Sequence, residues 1–150
     1  MPQAMAIEIE RQCETIESCY EFTLSYAARG LAGDDGSDAG RQVRDHLTRA
    51  AAAMRGLGQS CSDAIELEQL APAEKYEAFF EVLKRDAEGA IAAVELVLAQ
   101  AAIGSQMIDN LNASIHLRAL LADLFLVTEI LDARKTRADA RGANGSVGPR

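Results

Sequence analysis

Proline interrupts this 150-residue chain at only three places, Pro2, Pro72 and Pro149. Inside a helix proline removes a backbone donor and clashes with the preceding turn, so the two long stretches between these prolines are free to wind into long helices. Their apolar residues are spaced for it. Val43, Leu47, Ala50, Met54, Leu57 and Cys61 step by 4, 3, 4, 3 and 4, an unbroken heptad seam. Tyr76, Phe80, Leu83, Ala87, Ala90, Val94, Val97 and Ala101 form a second seam. Ile9, Cys13, Ile16, Tyr20, Ala27 and Leu31 form a third.

Turn residues divide these seams. Residues 30–37, Gly-Leu-Ala-Gly-Asp-Asp-Gly-Ser, end a first helix of about residues 5–30, and Ser37 or Asp38 caps the next. Gly56 and Gly58 should fray or bend the second helix, leaving residues 62–71 as a connector. Pro72 suits a first-turn position, with Glu74 and Glu77 near the positive end of the helix dipole. Gly104-Ser105 breaks the pattern again, and a fourth helix follows to about residue 135. Four long amphipathic helices with mostly short connections predict an all-α fold, an antiparallel up-down-up-down four-helix bundle over residues 1–136. Residues 137–150 lack apolar period and are expected to form a disordered basic tail.

Charge narrows the function. Residues 133–150 carry Arg134, Lys135, Arg137, Arg141 and Arg150 against Asp139, a net +4; since the whole chain stands at −8, the preceding 132 residues hold −12. An acidic body argues against binding nucleic acid phosphates, which needs clustered Lys and Arg. No run of about 18 apolar residues is present, so no membrane span is expected. The acidic N-terminus does not read as a secretory signal. The three cysteines, Cys13, Cys19 and Cys61, suit free thiols in a reducing compartment. A cytoplasmic protein is the expectation.

Candidate chemistry is sparse. Glu10, Glu14, Glu17 and Glu21 share one face of the first helix, and Glu74, Glu77, Glu81, Glu88 and Glu95 lie off the seam of the third. Di-iron bundles direct helical glutamates into the core together with Glu-x-x-His pairs, but Val43 and Ala113 stand three residues before His46 and His116. Both glutamate rows read as solvated stripes. No Cys-x-x-Cys or His-x-x-x-His pair occurs, so neither metal nor cofactor is expected. His116 falls in a polar stripe with Asp109, Asn112 and Asp123.

Arg41-Gln42-Val43-Arg44-Asp45-His46 contains Arg-x-x-x-x-His, which resembles the catalytic motif of the HEPN family of helical RNases and toxins. In that family a dimer commonly brings two such pairs together to cleave RNA, so the resemblance implies Arg41 and His46 as catalytic residues. The match covers six residues, with Gln42 as the polar residue after the arginine. His46-Leu47-Thr48-Arg49 resembles histidine phosphotransfer domains, although Ala50 stands where those carry glycine.

The fourth helix shows a further pattern. Leu117, Leu120, Leu121, Leu124, Val127 and Leu131 suffice for a core face. Ile108, Ile115, Ala119, Ala122, Leu126 and Ile130 fall on the opposite side, and Cys19, Phe22 and Tyr26 lie across the wheel from the seam of the first helix. These two surplus faces predict a partner surface. The reading is a non-catalytic bundle acting by protein–protein binding, as a homodimer or as an adaptor or chaperone-like partner of another protein; an RNase using Arg41 and His46, or a small-molecule or metal carrier, is the alternative. The seam assignment has a direct consequence: Leu83→Ala should destabilise the protein by about 2–5 kcal/mol in chemical denaturation. A change below about 0.5 kcal/mol would place Leu83 off the core.

Overall fold

The computed structural model describes residues 3–145, with side chains from 7 to 142. The chain is all-α, with no strand among the described residues. Five helices follow in order: α1 (Gln3–Ala28), α2 (Asp38–Leu67), α3 (Ala73–Leu98), α4 (Ser105–Ala113) and α5 (Ile115–Gly145).

Five helices replace the expected four because the last one divides at Ser114. Ser114 is extended (φ −64°, ψ 141°), and its N–H returns to the Leu111 carbonyl at 3.1 Å, closing α4 before α5 begins. Helical phase does not carry across such a break. The expected connector at 62–71 is also shorter, since α2 continues to Leu67 with Cys61 and Ala64 buried. Gly56 does not end this helix. A Cβ there would lie 2.7 Å from the Gln12 amide nitrogen, so glycine leaves room for the Gln12 side chain between α1 and α2. Pro72 precedes α3 as its N-cap, so the helix begins at Ala73, one residue after the expected start at Pro72.

The tail differs as well. Where disorder is expected from residue 137, α5 continues as helix to Gly145. Ala, Arg and Lys are strong helix formers, and no proline interrupts them before Pro149. The helix there rests on local propensity: residues 135–142 are all exposed. Residues 146–150 of the expected tail lie outside the described residues.

Packing runs in a ring. α1 packs on α2, α2 on α3 and α3 on α5, while α4 and α5 close back onto α1. Among the described residues α1 does not approach α3, nor α2 the pair α4 and α5. The seams of α2 and α3 are buried as spaced, from Val43 to Cys61 and from Phe80 to Val97, and so is the Leu117–Leu131 face of α5. In α1 the seam shifts by one residue after Ile16. Cys19, Thr23 and Tyr26 face the core, while Tyr20 and Ala27 are only half-buried. Thr23 is tolerated there because its hydroxyl bonds the Tyr20 carbonyl at 2.9 Å and meets the Asn112 amide oxygen at 2.9 Å.

One end of the molecule is held by a polar clamp between the α1–α2 and α3–α4 connections. The buried Asp34 carboxylate pairs with Arg44 of α2 and accepts the Ile103 N–H at 2.6 Å. Arg44 donates onward to the carbonyls of Leu98 (3.1 Å) and Gln100 (2.9 Å). Tyr26 donates its hydroxyl to the Ile103 carbonyl at 2.7 Å. Ser105 exchanges bonds with Leu31 through its N–H and hydroxyl, both at 2.8 Å, and donates to the Tyr26 carbonyl at 2.7 Å. Arg44 and the Ile103 N–H hold the Asp34 carboxyl below the usual carboxylate range, against the opposing effect of burial.

Gly40, in the first turn of α2, makes this clamp possible, because a Cβ there would stand 1.9 Å from the Asp34 carbonyl oxygen. Gly40→Ala should therefore destabilise the protein by about 2 kcal/mol or more in urea denaturation, although helix propensity alone favours alanine by about 1 kcal/mol. A stabilised variant would show that the Asp34 turn is not held against α2.

Candidate functional site

On α5, Ile115, Ala119, Ala122, Leu126, Ile130 and Ala133 recur at steps of three and four, so they lie along one side of the helix. This is the side away from the Leu117–Leu131 core face. Leu126 and Ile130 remain 49% and 38% exposed, too large and too close together to be incidental. Where α5 meets α3 they line a cleft of about 240 Å³ with Val127, Tyr76, Phe79 and Phe80. Lys75 is the one charged residue at its wall. Tyr76 and Phe80 pack ring against ring at 6.0 Å, which fixes the floor.

The same seam turns polar towards the N-terminal end of α5. Asp86 of α3 and Asp123 of α5 lie side by side. Burial, then a hydrogen bond to Asp86, then its charge, push the Asp123 carboxyl up to about 7. No cation bears on it among the described residues, and its Oδ2 is buried without a hydrogen-bond partner there. Two turns back, exposed His116 rests on Gly89, where a Cβ would lie 3.0 Å from its Nδ1. A second carboxyl pair joins α5 to α1: Glu10 is pushed up chiefly by its hydrogen bond to Asp132, and Lys135 opposes that shift. This site can seat apolar side chains at one end and hold a proton or accept a cation at the other. It presents no nucleophile with a base beside it.

Three of the nine residues expected at a partner surface are buried. Cys19, Tyr26 and Ile108 are buried in the core and cannot line an exposed face. For Ile108 the reason is the break at Ser114, which rotates α4 relative to α5 and turns it inward. For Cys19 and Tyr26 it is the seam shift in α1. Phe22 is half-buried and stacks on His46 at 4.4 Å between ring centres. Ala119 is half-buried; Ile115, Ala122, Leu126 and Ile130 are exposed. Thus α5 keeps an exposed apolar side, and the helix that lines the cleft beside it is α3, not α1. Phe79 and Val82, large apolar residues beside the α3 seam at helical spacing, are the usable signal for this side.

The remaining sequence candidates do not converge. Arg41 pairs with Asp38 at the exposed start of α2, whereas His46 stacks on Phe22, so the two are engaged with different partners. His46 lies between α1 and α2 and His116 between α3 and α5, seams on different sides of the ring. Burial pushes the thiols up, to about 11 at Cys13 and about 12 at Cys19 and Cys61, so they are neutral and unreactive near pH 7. Among the described residues no three His, Cys, Asp or Glu side chains are grouped to hold a metal ion. No helix there is long and apolar enough to cross a membrane.

Comparison of the chain with protein-family models, with curated proteins and with solved structures yields no match.

The carboxyl pair makes stability depend on pH. Asp123 titrates higher in the folded protein than in the unfolded chain, so it favours folding at low pH and loses that contribution as pH rises through about 7. Thermal denaturation should give a Tm that falls between pH 6 and pH 8, with a shallower fall in Asp123→Asn. Equal slopes for both proteins would show that the two carboxyls do not share a proton.

Proposed function

We propose that this protein is a non-catalytic helical protein that works by binding protein, first of all a second copy of itself, through the α3–α5 seam. The reading rests on the cleft in which Leu126 and Ile130 stand half-exposed above Tyr76 and Phe79. Apolar side chains several turns along one helix gain most when another chain removes them from water. A twofold dimer is the simplest arrangement, because a single self-complementary patch serves both subunits. Ala119 and Ala122 flank the patch and leave room for a partner helix.

Within this reading the ring of helix contacts is an antiparallel up-and-down bundle, with α4 and α5 together as its fourth member. Pairings between residues far apart in the chain favour it: Glu10 early in α1 meets Asp132 late in α5, and Tyr26 late in α1 meets Ile103 just before α4. The acidic body disfavours a nucleic acid partner. Three free, buried cysteines suit a reducing compartment such as the cytoplasm.

Leu126→Glu combined with Ile130→Glu tests the proposal. Sedimentation velocity should show a dimer for the parent chain and a folded monomer for the double variant, with unchanged helical circular dichroism. A parent chain that is monomeric at high micromolar concentration would sink the homodimer, and an unfolded variant would assign both residues to the core.

A further inference from the structure

The exposed end of α5 carries a charge pattern that the α3–α5 seam complements. Residues 135–142 are exposed without exception. Eight consecutive residues turn through about 800° on an α-helix, so no side of this segment is covered. It holds Lys135, Arg137 and Arg141 against Asp139. None of the described ion pairs includes Arg137. On an ideal helix Arg137 lies within about 20° of Leu126, on the cleft side of α5.

The seam supplies the opposite need. Asp86 faces Asp123 from α3, and no charged group of α1 or α4 bears on Asp123 among the described residues. On α5 itself, His116 lies two turns away against Gly89. Two carboxyls are thus held together with no cation beside them among the described residues. Such a site is better satisfied by an arginine than by a second acid.

Register connects the two features. If a twofold axis passes between Leu126 and Ile130 and pairs α5 with its antiparallel copy, each residue faces one equally far on the other side of the midpoint. Arg137 then stands over Ala119, one turn from Asp123 and within reach of an extended arginine. We propose that in the dimer Arg137 of each copy docks on the Asp86–Asp123 pair of the other, so that the basic end of α5 sets the register and orientation of the apolar contact. This inference rests on the homodimer proposed above and specifies its geometry. The apolar cleft supplies contact area, and the two symmetry-related charge clusters select antiparallel over parallel pairing of the α5 helices.

The test measures the dimer dissociation constant of the full chain by sedimentation at pH 7.5, in low and in high salt. Arg137 is exposed, so Arg137→Glu should leave the fold intact. The dissociation constant should rise at least tenfold and its salt dependence should flatten. In an Asp86→Asn, Asp123→Asn background, which keeps both side chains at nearly the same size, the same Arg137→Glu change should have less than a threefold effect. An equal effect in both backgrounds would place Arg137 elsewhere in the interface and overturn the pairing. If Arg137→Glu leaves the dimer untouched while Leu126→Glu with Ile130→Glu dissociates it, the homodimer stands and the arginine contact falls. If the parent chain is monomeric, both fall.

Discussion

The Asp34–Arg44 pair and the hydrogen bonds around it hold the two connections that join the helices at one end of the molecule. Long helices with mixed apolar seams can slide by a heptad at little cost in burial, so seams alone do not fix their relative heights. The clamp does. Asp34 lies in the α1–α2 connection, Arg44 in α2, Ile103 in the α3–α4 connection, and Tyr26 and Ser105 complete the circuit from α1 and α4. A displacement of any one of them strands a buried carboxylate or backbone group, which costs far more than a slightly worse apolar contact. Asp34 is almost wholly buried and Arg44 about a third exposed, so the guanidinium stays partly hydrated while it neutralises the carboxylate.

With that end fixed, α5 has two sides to satisfy and only one core to fill. Its Leu117–Leu131 face meets α1 and α3. The remaining apolar side, from Ile115 to Ile130, is left in or beside a shallow seam with α3. The seam is carboxylate-rich where most helix packings are neutral. Asp123 meets Asp86, and Glu10 meets Asp132, so α5 is joined on both flanks through acid pairs. Like charges in contact weaken a helix contact when both ionise. These pairs therefore make the attachment of α5 the pH-sensitive part of the fold, whereas the clamp, whose carboxyl titrates low, keeps its strength well into mild acid.

Much of the fold was legible from the pattern of side chains. Proline positions bounded the helices, and the heptads of α2 and α3 ran along buried residues: all six seam residues of α2 are buried, beside small ones such as Ala51, Ser60 and Ala64, and the α3 seam is buried from Phe80 to Val97. The reading failed where a polar group does the work of a core residue. Thr23 and Asn112 hide a buried position from any hydrophobic count, since each supplies part of the other's hydrogen bonding. The α1 seam consequently read one residue out, and Cys19 and Tyr26 seemed to face a partner. Gly56 and Gly58 read as helix breakers, but α2 continues six residues past Cys61 to Leu67, with Ala64 buried beyond them.

By itself the sequence determined that this chain is helical, which faces of α2, α3 and α5 are apolar, and that α5 has more apolar surface than one core uses. Those properties depend on spacing along a single helix, which the order of residues fixes. Tertiary structure alone decided that Ser114 divides the last helix, that Ile108 turns inward, and that α3 is the neighbour of the surplus α5 face. It alone brought Asp86 beside Asp123. Each of these depends on how one helix is rotated and placed against another, and that rotation is set by contacts between residues distant in the chain, such as Asp34 with Ile103 and Thr23 with Asn112.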